Sequence, residues 1–396
     1  MDKLRQYIKD FIALPLWRDY RTLLVVWVAI AVVSAVLKQH SMNNFLIYKY
    51  VFHHVIEQRD LYLHYPDEYG DLNHYGPFFS LVIAPFAVLP KMVGMMLWNI
   101  ALAVLLFVAV RTSRFSRYEI LFMLWFAAHD LMTCLIRQQF NVAVAAIILL
   151  SFTMVERRKD FWAAFFICAG TFVKLLPVVG VAFFFFSHCK RKFVLSMVFW
   201  SVVCFVAPML ISSPEYIVGQ YESWWHALQA KNGTNIASRI TDNNISLLGI
   251  VRRIFIHSDY SDLWIIIPGL SLVAAGYFRI RQWAHPAFRK MVLAQMLLIT
   301  ILFSTGTENS SYVIAYIALP LWYASVPWKR TGWDLFLMYF AFLFGSLCPT
   351  DIYPRYLRNE IISPFALRAL PVVLIWAKLT YEMIRRDYSP AGTVNN

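Results

Sequence analysis

The sequence is short of charge. Only 15% of its 396 residues are Asp, Glu, Lys or Arg, while 60% are hydrophobic and the mean hydropathy is +0.56. A soluble fold of this length could not hide so much apolar surface, so the composition excludes a water-soluble globular protein and makes the bilayer the solvent. Acidic residues are scarcer than basic ones, 23 against 36, which gives a net charge of +13 and a pI near 9.5. In a soluble domain that balance would suggest nucleic acid. Here the basic residues fall in bursts between apolar runs, which is the positive-inside pattern and argues against a nucleic-acid partner. Cysteine is also scarce: Cys134, Cys168, Cys189, Cys204 and Cys348 show no CxxC or other paired spacing and read as small buried side chains. No HExxH spacing, no DxD run on the expected external face, no internal repeat and no low-complexity tract interrupts the chain, so neither a metal nor another cofactor is expected. The first 22 residues lack a signal-peptide core and cleavage site; residues 1–21 are expected to lie as a basic amphipathic segment on the cytoplasmic face, and the span after them to be retained.

What the chain has in abundance is apolar runs. Those at 22–38, 92–110, 118–134, 140–155, 193–212, 262–279, 290–305, 311–327, 332–348 and 363–384 are long enough, or nearly so, to cross a membrane. Basic clusters at 111–117, 157–159, 190–192, 279–290, 329–330 and 385–386 assign the cytoplasmic side and place both termini there, with 385–396 as a cytoplasmic tail. Two stretches must then adapt. Residues 78–90, carrying Pro85 and Pro90, are expected to form a short re-entrant helix rather than a span. Residues 161–189 begin and end beside cytoplasmic bases; roughly 14 residues per arm reach only about 21 Å, so two short helices meeting near Lys174 and Pro177 are expected. The expected architecture is a single all-α polytopic membrane domain of about 12 crossings, with external loops at 39–77 and 213–261.

The polar residues concentrate on the expected outer side. Residues 43–79, "NNFLIYKYVFHHVIEQRDLYLHYPDEYGDLNHYGPFF", hold four of the ten histidines, five carboxylates and six tyrosines. Asp67 and Asp71 in this segment, with Glu308 in the turn "TGTENSS", are the external acids that could take a proton. Lys174, set inside an apolar hairpin, is costly to bury unless it faces a wet cavity or an anion, and Arg137, Gln139 and Asn141 open a span that would tolerate apolar residues. Single histidines among tyrosines, snorkelling helix ends and solvated loop acids are the bland alternatives for each. Taken together, cations suited to a phosphate, acids suited to a proton, and aromatic and amide groups suited to a sugar fit a substrate whose lipid tail lies in the bilayer. The run "CPTDIYPRYLRNE" (348–360), with Asp351, Arg355 and Arg358, reads as an acceptor-binding lip or a charged interface loop.

Six short motifs in order, "NNFLIYKYVFHHVIEQRDLY", "HYGPFFSLVIAPFAVLP", "RQQFN", "FVKLLPVVGVAFFFF", "DNNISLLGIVRR" and "TGTENSSYVIAYIALPLWY", resemble glycosyltransferase family 87 over roughly residues 20–330. That is the GT-C-type family that includes polyprenol-phosphate-mannose-dependent mannosyltransferases. The resemblance implies a GT-C-like fold and metal-independent, inverting transfer of a hexose, typically mannose, from a polyprenyl-phosphate carrier to a lipid or glycan acceptor on the outer face. It carries the family's Gln-x-Asn onto Gln139 and Asn141, its lysine onto Lys174, its amide pair onto Asn243 and Asn244, and its late polar turn onto Glu308 and Asn309. Asn44, Lys49, His74, Tyr75 and Arg137 are further candidate donor-binding side chains on the expected outer side. One departure matters: where the family has Asn-Asp-Phe with a general-base aspartate, this chain reads Asn43-Asn44-Phe45. An amide cannot accept the acceptor's proton. Glu308, Asp71 or Asp67 would have to replace it.

The expected function is therefore that of an integral membrane hexosyltransferase in a bacterial plasma membrane. Its partners would be the lipid-linked donor, a lipid or glycan acceptor and membrane lipids. A flippase or transporter for lipid-linked sugars, a non-catalytic binder of them, and a transferase for another phosphate-bearing group stay open.

Overall fold

The computed structural model describes residues 14–237, 243–255, 260–350 and 353–389, and among these every regular element is helical. Most of the expected amphipathic N-terminus, Asp351 and the end of the C-terminal tail lie outside the described residues. In chain order the α-helices are α1 (Tyr20–Leu37), α2 (Asn43–Glu57), α3 (Phe79–Ala87), α4 (Lys91–Thr112), α5 (Arg117–Phe126), α6 (Ala128–Ile136), α7 (Asn141–Glu156) and α8 (Asp160–Val173). Then come α9 (Lys190–Val206), α10 (Pro214–Ala237), α11 (Leu247–Ile254), α12 (Leu263–Tyr277), α13 (Pro286–Leu302), α14 (Val313–Ala324), α15 (Gly332–Phe340) and α16 (Leu370–Arg385).

Two helices sit at the centre. Every residue of α7 but Met154 and Glu156 is buried, and α14 is buried through Trp322, so both are apolar on all faces because both are surrounded by protein. At the other extreme, α9 exposes Val194, Leu195, Val198, Phe199, Val202 and Val206. Residues spaced three to four apart form one continuous apolar stripe, which in water would be an aggregation surface and in lipid is an ordinary helix face.

Three helices, Tyr20–Leu37, Lys91–Thr112 and Lys190–Leu210 with its 3₁₀ end, are long and apolar enough to cross a membrane, and a fourth follows if α5 and α6 count as one bent span. The apolar run at 118–134 is broken after Phe126, where the chain turns by 42°. Five shorter apolar helices lie at 141–156, 160–173, 176–186, 263–277 and 332–346. Three of the ten runs read as single lengths, 118–134, 332–348 and 363–384, are divided by local breaks. The run at 332–348 passes from α15 into a π-helical turn over Ala341–Ser346.

Local chemistry explains the breaks. Residues 78–90 form the nine-residue α3, stopped before Pro90, which starts α4. Its open C-terminal carbonyls are taken by the Lys49 ammonium, which donates to Ala87 O and to Leu89 O (2.9 Å). At 160–186 the chain leaves α8 at Lys174 in extended geometry and resumes in a 3₁₀ helix over Leu176–Phe186, with Pro177 in its first turn. The described residues of 213–261 are largely helical: α10 buries Ile217, Gln220 and Trp224, one face of a helix, against the segment between α2 and α3.

Candidate functional site

The site begins at a glycine. Gly76 follows His74-Tyr75 and packs so closely on the end of α8 that a Cβ would stand 2.2 Å from Phe172 O; its N–H donates to Val173 O at 3.0 Å. Only glycine allows this approach. The contact brings Tyr75 beside Lys174, whose ammonium lies 5.8 Å from the Tyr75 ring centroid. The Tyr75 hydroxyl shares a 2.9 Å hydrogen bond with Tyr48 OH and donates at 3.3 Å to Gln139 Oε1.

A second wall comes from the connection between α6 and α7. Gln138 takes φ 51°, a left-handed conformation that a non-glycine residue adopts rarely and that clusters at functional sites. It reverses the chain so that Gln139 lines the same cavity as Lys174, while Asn141 opens α7 behind it. Lys174 Nζ donates to Asn141 Oδ1 at 2.8 Å, Asn141 Nδ2 donates to Ser311 Oγ at 3.1 Å, and Ser311 Oγ accepts from Glu308 N at 3.2 Å. A relay of three polar contacts therefore ties the cation to the turn that carries the acid. Ser310 Oγ donates to the Glu308 carboxylate at 3.3 Å.

The cavity between these walls has a volume of about 320 Å³. Asn44, Asp71, His74, Tyr75, Gln139, Lys174 and Glu308 of the sequence-derived candidates line it. Asp71 is exposed at its edge and accepts from Leu72 N (2.8 Å), whereas Glu308 is half-buried. The position of the family aspartate is used structurally: Asn44 Nδ2 donates to the Arg137 carbonyl at 2.7 Å. His74 has a buried Nδ1 without a hydrogen-bond partner, and its carbonyl accepts from Trp224 Nε1 at 3.0 Å. Burial, followed by the charge of Lys231, pushes the His74 imidazole down to about 4, so it is neutral at physiological pH.

Other candidates lie elsewhere. Lys49 is committed to the C-terminal carbonyls of α3. Asp67 is exposed and borders no described cavity. Arg137 and Asn309 border an adjoining cavity of about 250 Å³ together with Arg253, Arg358 and Arg368. In its wall Arg368 donates to Asn309 Oδ1 (2.7 Å) and to the buried Asp130 (2.7 Å). Asn244 is buried, left-handed at φ 57°, and accepts from Ser246 Oγ (2.8 Å), while the next residue bonds Thr307 O through its N–H (2.7 Å). It supports the Glu308 turn from behind.

Sequence reasoning missed the contribution of α10. Leu228, Lys231, Asn232 and Asn235 line the cavity, and Asn232 Oδ1 accepts from Thr305 Oγ1 at 2.6 Å. The spacing i, i+3, i+4, i+7 was the available signal, since it places all four on one face of a helix. Among the described residues, no three His, Cys, Asp or Glu side chains stand close enough together to hold a metal ion.

The combination of a hydrogen-bonded lysine, an acid and sugar-sized polar walls is suited to moving a group from a phosphate to a hydroxyl. Comparison with known proteins bears on the class. The family model described as glycosyltransferase family 87 matches residues 73–305, more than half of the chain. The match includes His74, Tyr75, Gln139, Asn141, Lys174 and all of α10, but begins beyond Asn44 and ends before Glu308. No curated protein and no solved structure matched in the corresponding searches. The chain belongs to glycosyltransferase family 87, and with it to the membrane glycosyltransferases.

Proposed function

We propose that the cavity transfers a hexose, with mannose as the sugar the family resemblance favours, from a polyprenyl monophosphate to the hydroxyl of a lipid or glycan acceptor. The observation that carries this reading is that Lys174 and Glu308 border one cavity and are joined through Asn141 and Ser311. The acceptor oxygen attacks the anomeric carbon as its proton passes to Glu308. The bond from that carbon to the phosphate oxygen breaks on the opposite face, the electron pair leaves with the phosphate, and the configuration inverts. An ammonium has three protons to donate, and Asn141 takes one from Lys174. The others can meet the phosphate oxygens as negative charge develops, where partial exclusion of water strengthens the contact. Gln139 and Tyr75 orient the sugar, Asn141 positions the lysine, and Asn44 holds the Arg137 backbone. Asp71 is the second choice of base, at the edge of the cavity.

The positive-inside pattern supports a site on the non-cytoplasmic side of a bacterial plasma membrane with both termini cytoplasmic. The test is transfer of label from radiolabelled polyprenyl-phosphate mannose to a mixed lipid extract by the reconstituted protein. Wild-type transfer, reduced at least about 100-fold in Lys174→Ala with the protein still folded, is expected. Normal transfer by Lys174→Ala would remove the leaving-group role. Donor binding without any transfer would instead make the protein a binder or carrier of lipid-linked sugars.

A further inference from the structure

The cavity holds a second cation. Lys231 projects from α10 into the same space as Lys174 and, unlike it, makes no hydrogen bond or ion pair with the described residues. Its position is fixed from both sides. Upstream, three side chains of α10 fasten it to the segment from α2 to α3: Tyr216 OH donates to Arg59 O (2.6 Å), Gln220 Oε1 accepts from Leu61 N (2.8 Å) and Trp224 Nε1 donates to His74 O (3.0 Å). Downstream, Asn232 is held to Thr305, three residues before Glu308. One helical turn further on, Asn235 is 2% exposed, lines the cavity and leaves its Oδ1 without a partner. A face of the helix thus presents to the cavity an ammonium without an ion pair among the described residues, beside an amide whose oxygen can accept from a sugar hydroxyl.

Lys174 and Lys231 are like charges facing one space; the carboxylates of Glu308 and Asp71 border it too, but neither forms an ion pair with either lysine among the described residues, so both ammoniums can turn to an incoming anion. Of the charges around His74, that of Lys231 lowers its basicity most and that of Asp71 opposes it, in keeping with a cation close to this wall. We propose that Lys231 is the second phosphate-binding residue of the site, so that the carrier phosphate is held between the ammoniums of Lys174 and Lys231, with the α10 face covering it. The role expected of Arg137 from the sequence passes to Lys231, because Arg137 borders the adjoining cavity. This inference rests on the proposed transfer from a lipid monophosphate. It adds a residue that contacts the donor but not the acceptor.

The test is equilibrium binding of a tritiated polyprenyl monophosphate, and of the uncharged polyprenol of the same length, to the full-length protein in lipid nanodiscs. Lys231→Ala is expected to weaken monophosphate binding about tenfold and to leave polyprenol binding unchanged, as for loss of one part-exposed charge-assisted hydrogen bond. Lys231→Arg is expected to restore most of the affinity, and the donor KM in transfer is expected to rise in Lys231→Ala with little change in kcat. Wild-type affinity for the monophosphate in Lys231→Ala, beside a loss in Lys174→Ala, would overturn the role of Lys231 and leave the proposed function standing. Equal binding of monophosphate and polyprenol by the wild type would overturn the phosphate reading itself and this inference with it.

Discussion

At the scale of the residue, the account turns on which polar side chains are committed to the fold and which are left to meet a substrate. Asn44 is committed, since its amide donates to a backbone carbonyl. A carboxylate in its place would turn an acceptor toward that carbonyl, so Asn44→Asp is expected to destabilise the protein by about 1 kcal/mol and not to raise transfer. Thermal unfolding in detergent and the transfer assay check this together; higher activity in the variant would mean that the base belongs at position 44. His74 is the opposite case, a group left without a partner. Its folded pKa of about 4 lies below the ordinary value near 6.5, so between these values the unfolded chain binds more protons than the native one. The stability it contributes is complete above about pH 6.5 and is lost as pH falls toward 4. The thermal midpoint should therefore drop between pH 7 and pH 4.5, with a shallower drop in His74→Gln, and His74 should produce no inflection in the transfer rate between pH 6 and 8. A steep inflection that disappears in His74→Gln would contradict the neutral imidazole.

At the scale of the element, three features bring the site together: the Gly76 approach to α8, the left-handed Gln138, and the fastening of α10 to the segment between α2 and α3. A side chain at position 76 cannot be accommodated without moving backbone, because the obstacle is a carbonyl oxygen. Gly76→Ala is expected to cost about 1–3 kcal/mol by overpacking and to lower transfer more than Gly233→Ala, whose Cβ meets nothing within 4 Å. Equal effects of the two would mean that the Tyr75–Lys174 contact does not depend on this approach.

The break at Lys174 was legible in the sequence because a cation and a proline three residues apart both oppose a continuous helix in lipid, one by its charge and one by its missing N–H. The cavity-facing role of α10 was harder to read: the spacing of Leu228, Lys231, Asn232 and Asn235 marks one helix face, but polar and apolar residues mix along the stretch, which lies between spans, where a loop is the simpler reading. Arg137 and Gln139 are two residues apart, and the left-handed Gln138 between them directs one to each cavity; nothing in a glutamine announces that conformation. Lys49 shows the same limit. Its partners are carbonyls about forty residues away, and only the tertiary fold reveals that they take up its charge.

At the scale of the whole molecule, composition determined the solvent and the helical class, and the family match supplies the kind of reaction. Sidedness can be tested on the cysteines, because Cys189 is exposed beside Lys190–Lys192 and the other four are buried. A membrane-impermeant maleimide should label the protein in inverted vesicles and not in intact spheroplasts, and Cys189→Ser should abolish labelling; reversed labelling would invert the orientation. The central claim, that one cavity unites a phosphate-binding lysine with a proton-accepting glutamate, is tested most directly by Glu308→Gln. The measurement is the single-turnover rate of sugar transfer from a labelled polyprenyl-phosphate hexose, made alongside donor binding. The account expects donor affinity within about threefold of wild type and a rate at least about 100-fold lower, as for loss of a general base. An unchanged rate in Glu308→Gln would contradict it.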